Sequence, residues 1–155
     1  MKIILETFLI IYTSLKNGIG IKGAISYGEI TVDYDNSIFF GQAINDAYSL
    51  LEQLQIYSAV LDNRFEARLN TMSIPKKISA FIQQYKANFK TNNITHKLIA
   101  PKTDIQIKEL IDYTNKMYDN VSGTDRIYID NTLEFLNSLI IKIKTVPKSI
   151  FVTPL

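Results

Sequence analysis

Cysteine is absent from the 155 residues. That excludes disulfides, thiolate metal sites and a cysteine nucleophile. His96 is the one histidine, so multi-histidine metal sites, histidine-pair chemistry and most Ser–His arrangements are excluded as well. Tryptophan is missing too. Neither sign of charge dominates: the net charge of +2 is too small to argue for a partner. No long hydrophobic run exists. The apolar stretch from Ile3 to Leu15 is interrupted by Glu6, and Thr7 to Tyr12 falls far short of the about 20 residues a bilayer span needs. Asn17-Gly18-Ile19 does not resemble a signal-cleavage site, so this stretch is expected to be a buried helix and the compartment cytoplasmic. The sequons at Asn93 and Asn120 then carry no meaning. What remains is ordinary: 46% apolar and 21% charged residues, enough chain to bury a core as one domain. The abundance of Lys, Ile, Asn and Tyr reads as codon bias from an AT-rich genome.

Hydrophobic spacing divides the chain. Ile3, Ile4, Phe8, Ile11 and Leu15 recur at helical intervals over 2–16, with Leu5, Leu9 and Ile10 widening the apolar face; Asn17-Gly18 ends the helix. Residues 19–26 and 29–34 read as strands and Asp35-Asn36 as a turn, with Ser37 to Phe40 continuing the sheet or bridging to Gly41. Helical spacing returns over 42–55, and Ile56 to Leu61 reads as a strand. Asp62 or Asn63 is expected to cap a helix to about Asn70. Pro75 opens a predicted helix whose stripe of Ile78, Phe81, Ile82, Tyr85 and Phe89 runs to about Lys90. Lys97 to Ala100 reads as a strand, and Thr103 or Asp104 caps a helix through Met117. Ile127 to Ile129 reads as β-like, with Asp130 capping a final helix to about Lys144. Pro147 stops it, and Ile150 to Val152 reads as an edge strand. No repeat appears.

Several motifs carry chemistry in principle. Gly18, Gly20 and Gly23 spell G-x-G-x-x-G, but the dinucleotide fingerprint needs a strand before it and a helix after it. Here the order is reversed, so the match reads as structural. His96 falls in a loop beside a strand, where a surface role is expected. Asp33 and Asp35 share a strand face and could hold a cation, although a solvated hairpin end explains them more simply. Between Thr71 and Thr103 lie Lys76, Lys77, Lys86, Lys90, Lys97 and Lys102, with no acid. A basic helix with interleaved aromatics could engage nucleic acid or an anionic surface. The aromatics, however, lie on the apolar stripe, which favours a core face with the lysines outward.

Residues 19–52 carry the most specific pattern: Ile-Gly-Ile-Lys-Gly-Ala-Ile-Ser-Tyr-Gly-Glu, a hairpin, then Phe39-Phe40-Gly41-Gln42-Ala43-Ile44-Asn45-Asp46-Ala47-Tyr48-Ser49-Leu50-Leu51-Glu52. This resembles the second half of the class III nucleotidyl cyclase domain, and more closely a bacterial group of cyclase-like proteins of unassigned role. The helix at 2–16 and Val60-Leu61-Asp62 fit the flanking elements, so the likeness covers about residues 1–62. Asp125 to Asp130 is a weak echo of a later segment.

The resemblance implies an α+β fold: a mainly antiparallel sheet from 19–26, 29–34 and 56–61, packed by helices 2–16 and 42–55. Residues 63–155 form a mainly helical extension on this cyclase- or ferredoxin-like half domain. The resemblance also implies a site shared between protomers. Gly41 matches the family glycine and Asn45 the ribose-orienting asparagine. Ser49 stands where the family carries an arginine that stabilises charge on the transferring phosphorus. Ile38 replaces a base-reading aspartate, and Lys22 the arginine before the Gly-Ala-Ile strand. The resemblance places the metal aspartates in the first half of the domain, which is expected to be missing here. Magnesium or manganese would therefore enter only if that half came from elsewhere. Hence the leading expectation is a non-catalytic, cyclase-like module acting through homodimerisation or a protein partner. A cyclase-type enzyme completed by another chain is the second. Nucleic-acid or anionic-surface binding through the lysine-rich segment is the third.

Overall fold

The computed structural model describes residues 2–145, with side chains described through residue 142. The fold is α+β. Helix α1 (Lys2–Lys16) buries Ile4, Phe8, Ile11 and Leu15, one residue per turn. Gly18 closes it at φ 73°, the left-handed conformation glycine adopts without a Cβ penalty. Leu9 and Ile10, which widen the apolar face in sequence, are 58% and 59% exposed, and Ile3 of the stripe is 47% exposed.

Strand β1 (Gly23–Ile25) follows, then the hairpin of β2 (Thr31–Asp33) and β3 (Ile38–Phe40), then α2 (Gln42–Gln53). The Asp33 carboxylate accepts the backbone N–H groups of Asp35 and Asn36 and the Asn36 side chain, so Asp35-Asn36 is the turn the composition predicts. Strand β4 (Ala59–Leu61) leads into α3 (Asn63–Thr71), capped by Asp62, whose Oδ1 accepts the Phe65 N–H at 2.6 Å.

The segment after Pro75 departs from its spacing. A short helix α4 (Lys76–Ser79) gives way to a hairpin of β5 (Ile82–Asn88) and β6 (Asn93–Ile99). The predicted helix from Pro75 to Lys90 is therefore corrected. Phe81, Tyr85 and Phe89 are four apart, which is one helical turn and also an even number of strand residues. Tyr85 and Ala87 face inward while Gln84 and Lys86 face solvent, as the alternation of a half-buried strand requires.

Helix α5 (Asp104–Lys116) opens with a capping box in which Thr103 and Gln106 satisfy each other's backbone N–H groups. Helix α6 (Arg126–Thr145) begins earlier than Asp130. Ile127 to Ile129 are its first turn and not a strand: Ile129 is fully buried, and Tyr128 stacks on Tyr57 with ring centroids 5.6 Å apart. Pro147 and Ile150 to Val152 lie outside the described residues.

The main sheet has the order β1-β4-β6-β5. β1 runs parallel to β4, whereas β4–β6 and β6–β5 are antiparallel. The β2–β3 hairpin forms its own two-stranded sheet. Helix α6 lays Phe135 against Tyr85, α1 lays Phe8 against Phe81, and α5 packs between α1 and α6. The core is continuous through Ile4, Leu54, Val60, Leu98, Ile107 and Ile129, so it draws on both ends of the chain. No helix among the described residues is long and apolar enough to cross a membrane.

Candidate functional site

Helix α2 carries the positions the sequence singles out. Gly41 precedes it at φ 154°, and a Cβ there would lie 2.6 Å from the Glu29 carbonyl oxygen and 2.9 Å from the Ile30 Cα. Only glycine fits this crossing between the hairpin and the helix. Asn45 is exposed on the first turn of α2. Ser49 lines a cleft of about 460 Å³ between α2, the start of α3 and the β5–β6 hairpin. Asn45 stands one turn before Ser49 on α2; Asp46, Ser49, Gln53, Asp62, Arg64 and His96 line the cleft, and Asn45 lies outside it.

Lys22 has a structural task. Its Nζ donates to the Leu54 carbonyl at 3.0 Å and lies 5.2 Å above the Tyr128 ring. A cation there meets the carbonyl end of α2 and ties that helix to α6.

His96 is not the surface residue its sequence position suggests. It lies in β6, its side chain only 11% exposed, with Nδ1 3.4 Å from Glu66 Oε1. Nδ1 is buried without a hydrogen bond, while the same Glu66 oxygen accepts the Lys97 backbone N–H at 2.8 Å. The Phe89 ring packs 5.6 Å away. Arg64 enters the cleft from α3 and pairs with Asp46 at 3.4 Å. Asp62 is occupied by the Phe65 N–H and by the Ser26 hydroxyl. In the cleft Arg64 and Asp46 pair and Asp62 is occupied, while His96 Nδ1 is left without a hydrogen bond. Glu66 and His96 are thirty residues apart, and only the placement of α3 beside β6 reveals the pair.

The lysines are spread over several elements. Lys76 and Lys77 lie in α4, Lys90 in the loop after β5, and Lys102 beyond β6. Lys86 and Lys97 share the solvent side of the β5–β6 hairpin, and Lys97 Nζ donates to Asn70 at 3.3 Å. Gly18, Gly20 and Gly23 link α1 to β1, with Gly20 under the Tyr57 ring. A dinucleotide loop would connect a strand to a helix. Among the described residues no three His, Cys, Asp or Glu side chains cluster as a metal site requires.

The apolar surface is the larger feature. All three residues of β3 are exposed: Ile38 by 48%, Phe39 by 54% and Phe40 by 57%. Tyr34, 81% exposed, leans edge-on against Phe39. Beside the hairpin runs a groove of about 650 Å³ between α1, β1 and α2, with no charged residue in its walls. Strand β1 ends the main sheet, and its Gly23 N–H and Ile25 carbonyl are used on the β4 side. Alternation leaves the Ala24 N–H and carbonyl directed to the open edge.

Comparison with protein-family models, with curated proteins and with solved structures finds no match for this chain.

Proposed function

We propose that this chain is a non-catalytic, cyclase-like module that works by association, with a second copy or with a protein partner. The observation that carries the reading is the bare β3 strand: Ile38, Phe39 and Phe40 are all about half exposed in a two-stranded hairpin. A hairpin of this kind is marginal in water, and contiguous exposed apolar side chains mark interaction sites. Ser49 supports the non-catalytic part. It offers a hydroxyl where the cyclase pattern calls for a guanidinium, and such a cation is worth orders of magnitude in phosphoryl-transfer rate.

The test is size-exclusion chromatography with light scattering at micromolar concentration, on the wild type and on the double variant Phe39→Asp/Phe40→Asp. Both side chains are about half exposed and lie outside the core, so the variant is expected to keep its helical circular dichroism. The wild type is expected to run above the mass of one chain or with a co-purifying protein, and the variant as one chain alone. A wild type that runs as a single chain with no companion overturns the reading.

A further inference from the structure

We infer that Asn17-Gly18, at the junction of α1 and β1, is a modification site: it deamidates spontaneously, and the closing turn of α1 gates the reaction. Neither residue belongs to the exposed hairpin, so this inference and the association reading stand or fall separately.

Asn17 is the one asparagine in the chain that a glycine follows. Deamidation begins when the backbone nitrogen of the following residue attacks the asparagine Cγ. A Cβ on that residue obstructs the approach, and glycine has none. Water reaches the place, since Asn17 and Gly18 are both exposed. The steps need nothing but solvent. The Gly18 nitrogen gives its proton to a solvent base and bonds to Asn17 Cγ. The Cγ–Nδ2 bond then breaks, and the amide nitrogen takes up a proton and leaves as ammonia. Water opens the resulting succinimide at one of its two carbonyls, leaving aspartate or isoaspartate.

The fold restrains both reacting groups. The Ile19 N–H donates to the Ser14 carbonyl at 2.9 Å, and the Gly18 N–H to the Leu15 carbonyl at 3.0 Å. These are the two bonds of a Schellman closure, with Gly18 at its left-handed position, φ 73°. The proton that the attacking nitrogen must lose is therefore held by the helix. The leaving amide is held as well: Asn17 Nδ2 donates to the Thr13 carbonyl at 2.7 Å. Both bonds must open before the Gly18 nitrogen can turn to Cγ, so the reaction proceeds from the frayed end of α1. Its products keep that end open. Either acid loses the bond to Thr13 and sets a negative charge against the carbonyl end of the helix, where the macrodipole disfavours it. Isoaspartate also adds a methylene to the main chain just before β1.

The test incubates the full chain in mildly alkaline buffer, folded and in urea above its unfolding transition. Proteolytic peptides are read by mass spectrometry for the amide-to-acid mass gain, and isoaspartate by labelling with an isoaspartyl methyltransferase. In urea, Asn17 is expected to convert ahead of every other asparagine, and Gly18→Ala to slow it several-fold. The folded protein is expected to convert at Asn17 at least about tenfold more slowly than the unfolded chain, and faster in urea just below the transition. Asn17→Asp is expected to speed hydrogen exchange at the Gly18 and Ile19 amides while β5 and β6 stay unchanged. Another asparagine that converts first in urea overturns the site. So does folded protein that never converts, even just below the transition. Equal rates in folded and unfolded protein overturn the gate. Unchanged exchange at Gly18 and Ile19 in Asn17→Asp overturns the claim that the product keeps the helix end open.

Discussion

Gly41 is the residue on which the hairpin and α2 depend together. Its φ of 154°, and the Glu29 carbonyl oxygen 2.6 Å from where a Cβ would sit, leave no room for a side chain. Gly41→Ala is expected to cost about 1–3 kcal/mol, read as a shift of the urea midpoint with unchanged slope. Asp33 governs the other end of the hairpin. The Asn36 side chain, then the Asn36 and Asp35 backbone N–H groups, hold its carboxyl below the ordinary aspartate range. A depressed folded value means the turn is favoured above the unfolded aspartate pKa and loses that support as pH falls through the folded value. Acid titration followed by NMR should therefore move the Asn36 amide below the ordinary aspartate pKa, and Asp33→Asn should remove that response. Residue types alone announce the turn at Asp35-Asn36 and a cap at Asp62 or Asn63, because each is local chemistry, whereas Gly41 is singled out only by the resemblance. They do not announce the Glu66–His96 pair, which joins α3 to β6 across thirty residues of chain.

At the scale of elements, α1, α2, α3 and α5 are legible because caps and spacing agree. The β5–β6 hairpin is not, since Phe81, Tyr85 and Phe89 fit both periods and Pro75 supplies a helix start that lasts only to Ser79. The decisive fact is the pairing of β5 with β6 from Ile82↔Ile99 to Asn88↔Asn93, a long-range property. The start of α6 is hidden for a related reason: Ile127, Tyr128 and Ile129 are strand formers that burial against the core holds in a helix. Tyr85 reports on this packing. Burial under α6, with the Glu134 carboxylate adding to it, pushes its hydroxyl up to about 12. Its folded pKa lies above the unfolded value of about 10, so its contribution to stability is complete below that value and is lost as pH rises through about 12. Alkaline unfolding should steepen over that window, and Tyr85→Phe should flatten it.

At the scale of the molecule, the lack of cysteine and the single histidine remove whole chemistries on composition alone. The fold class follows from the alternation of spacings, and the surface does not. Sequence has Ser37 to Phe40 continue the sheet or bridge to Gly41; the structure sets Ile38, Phe39 and Phe40 in a separate hairpin, each about half exposed. The core running from Ile4 to Leu139 includes no residue of that hairpin. The proposed function turns on whether another chain covers this strand. Hydrogen–deuterium exchange of residues 31–40, measured across a wide range of protein concentration, reads that covering directly. Protection of the β2–β3 amides should rise with concentration while that of β5 and β6 stays constant. Exchange in β2–β3 that is equally fast at every concentration, in a sample containing no other protein, would rule out pairing with a second copy.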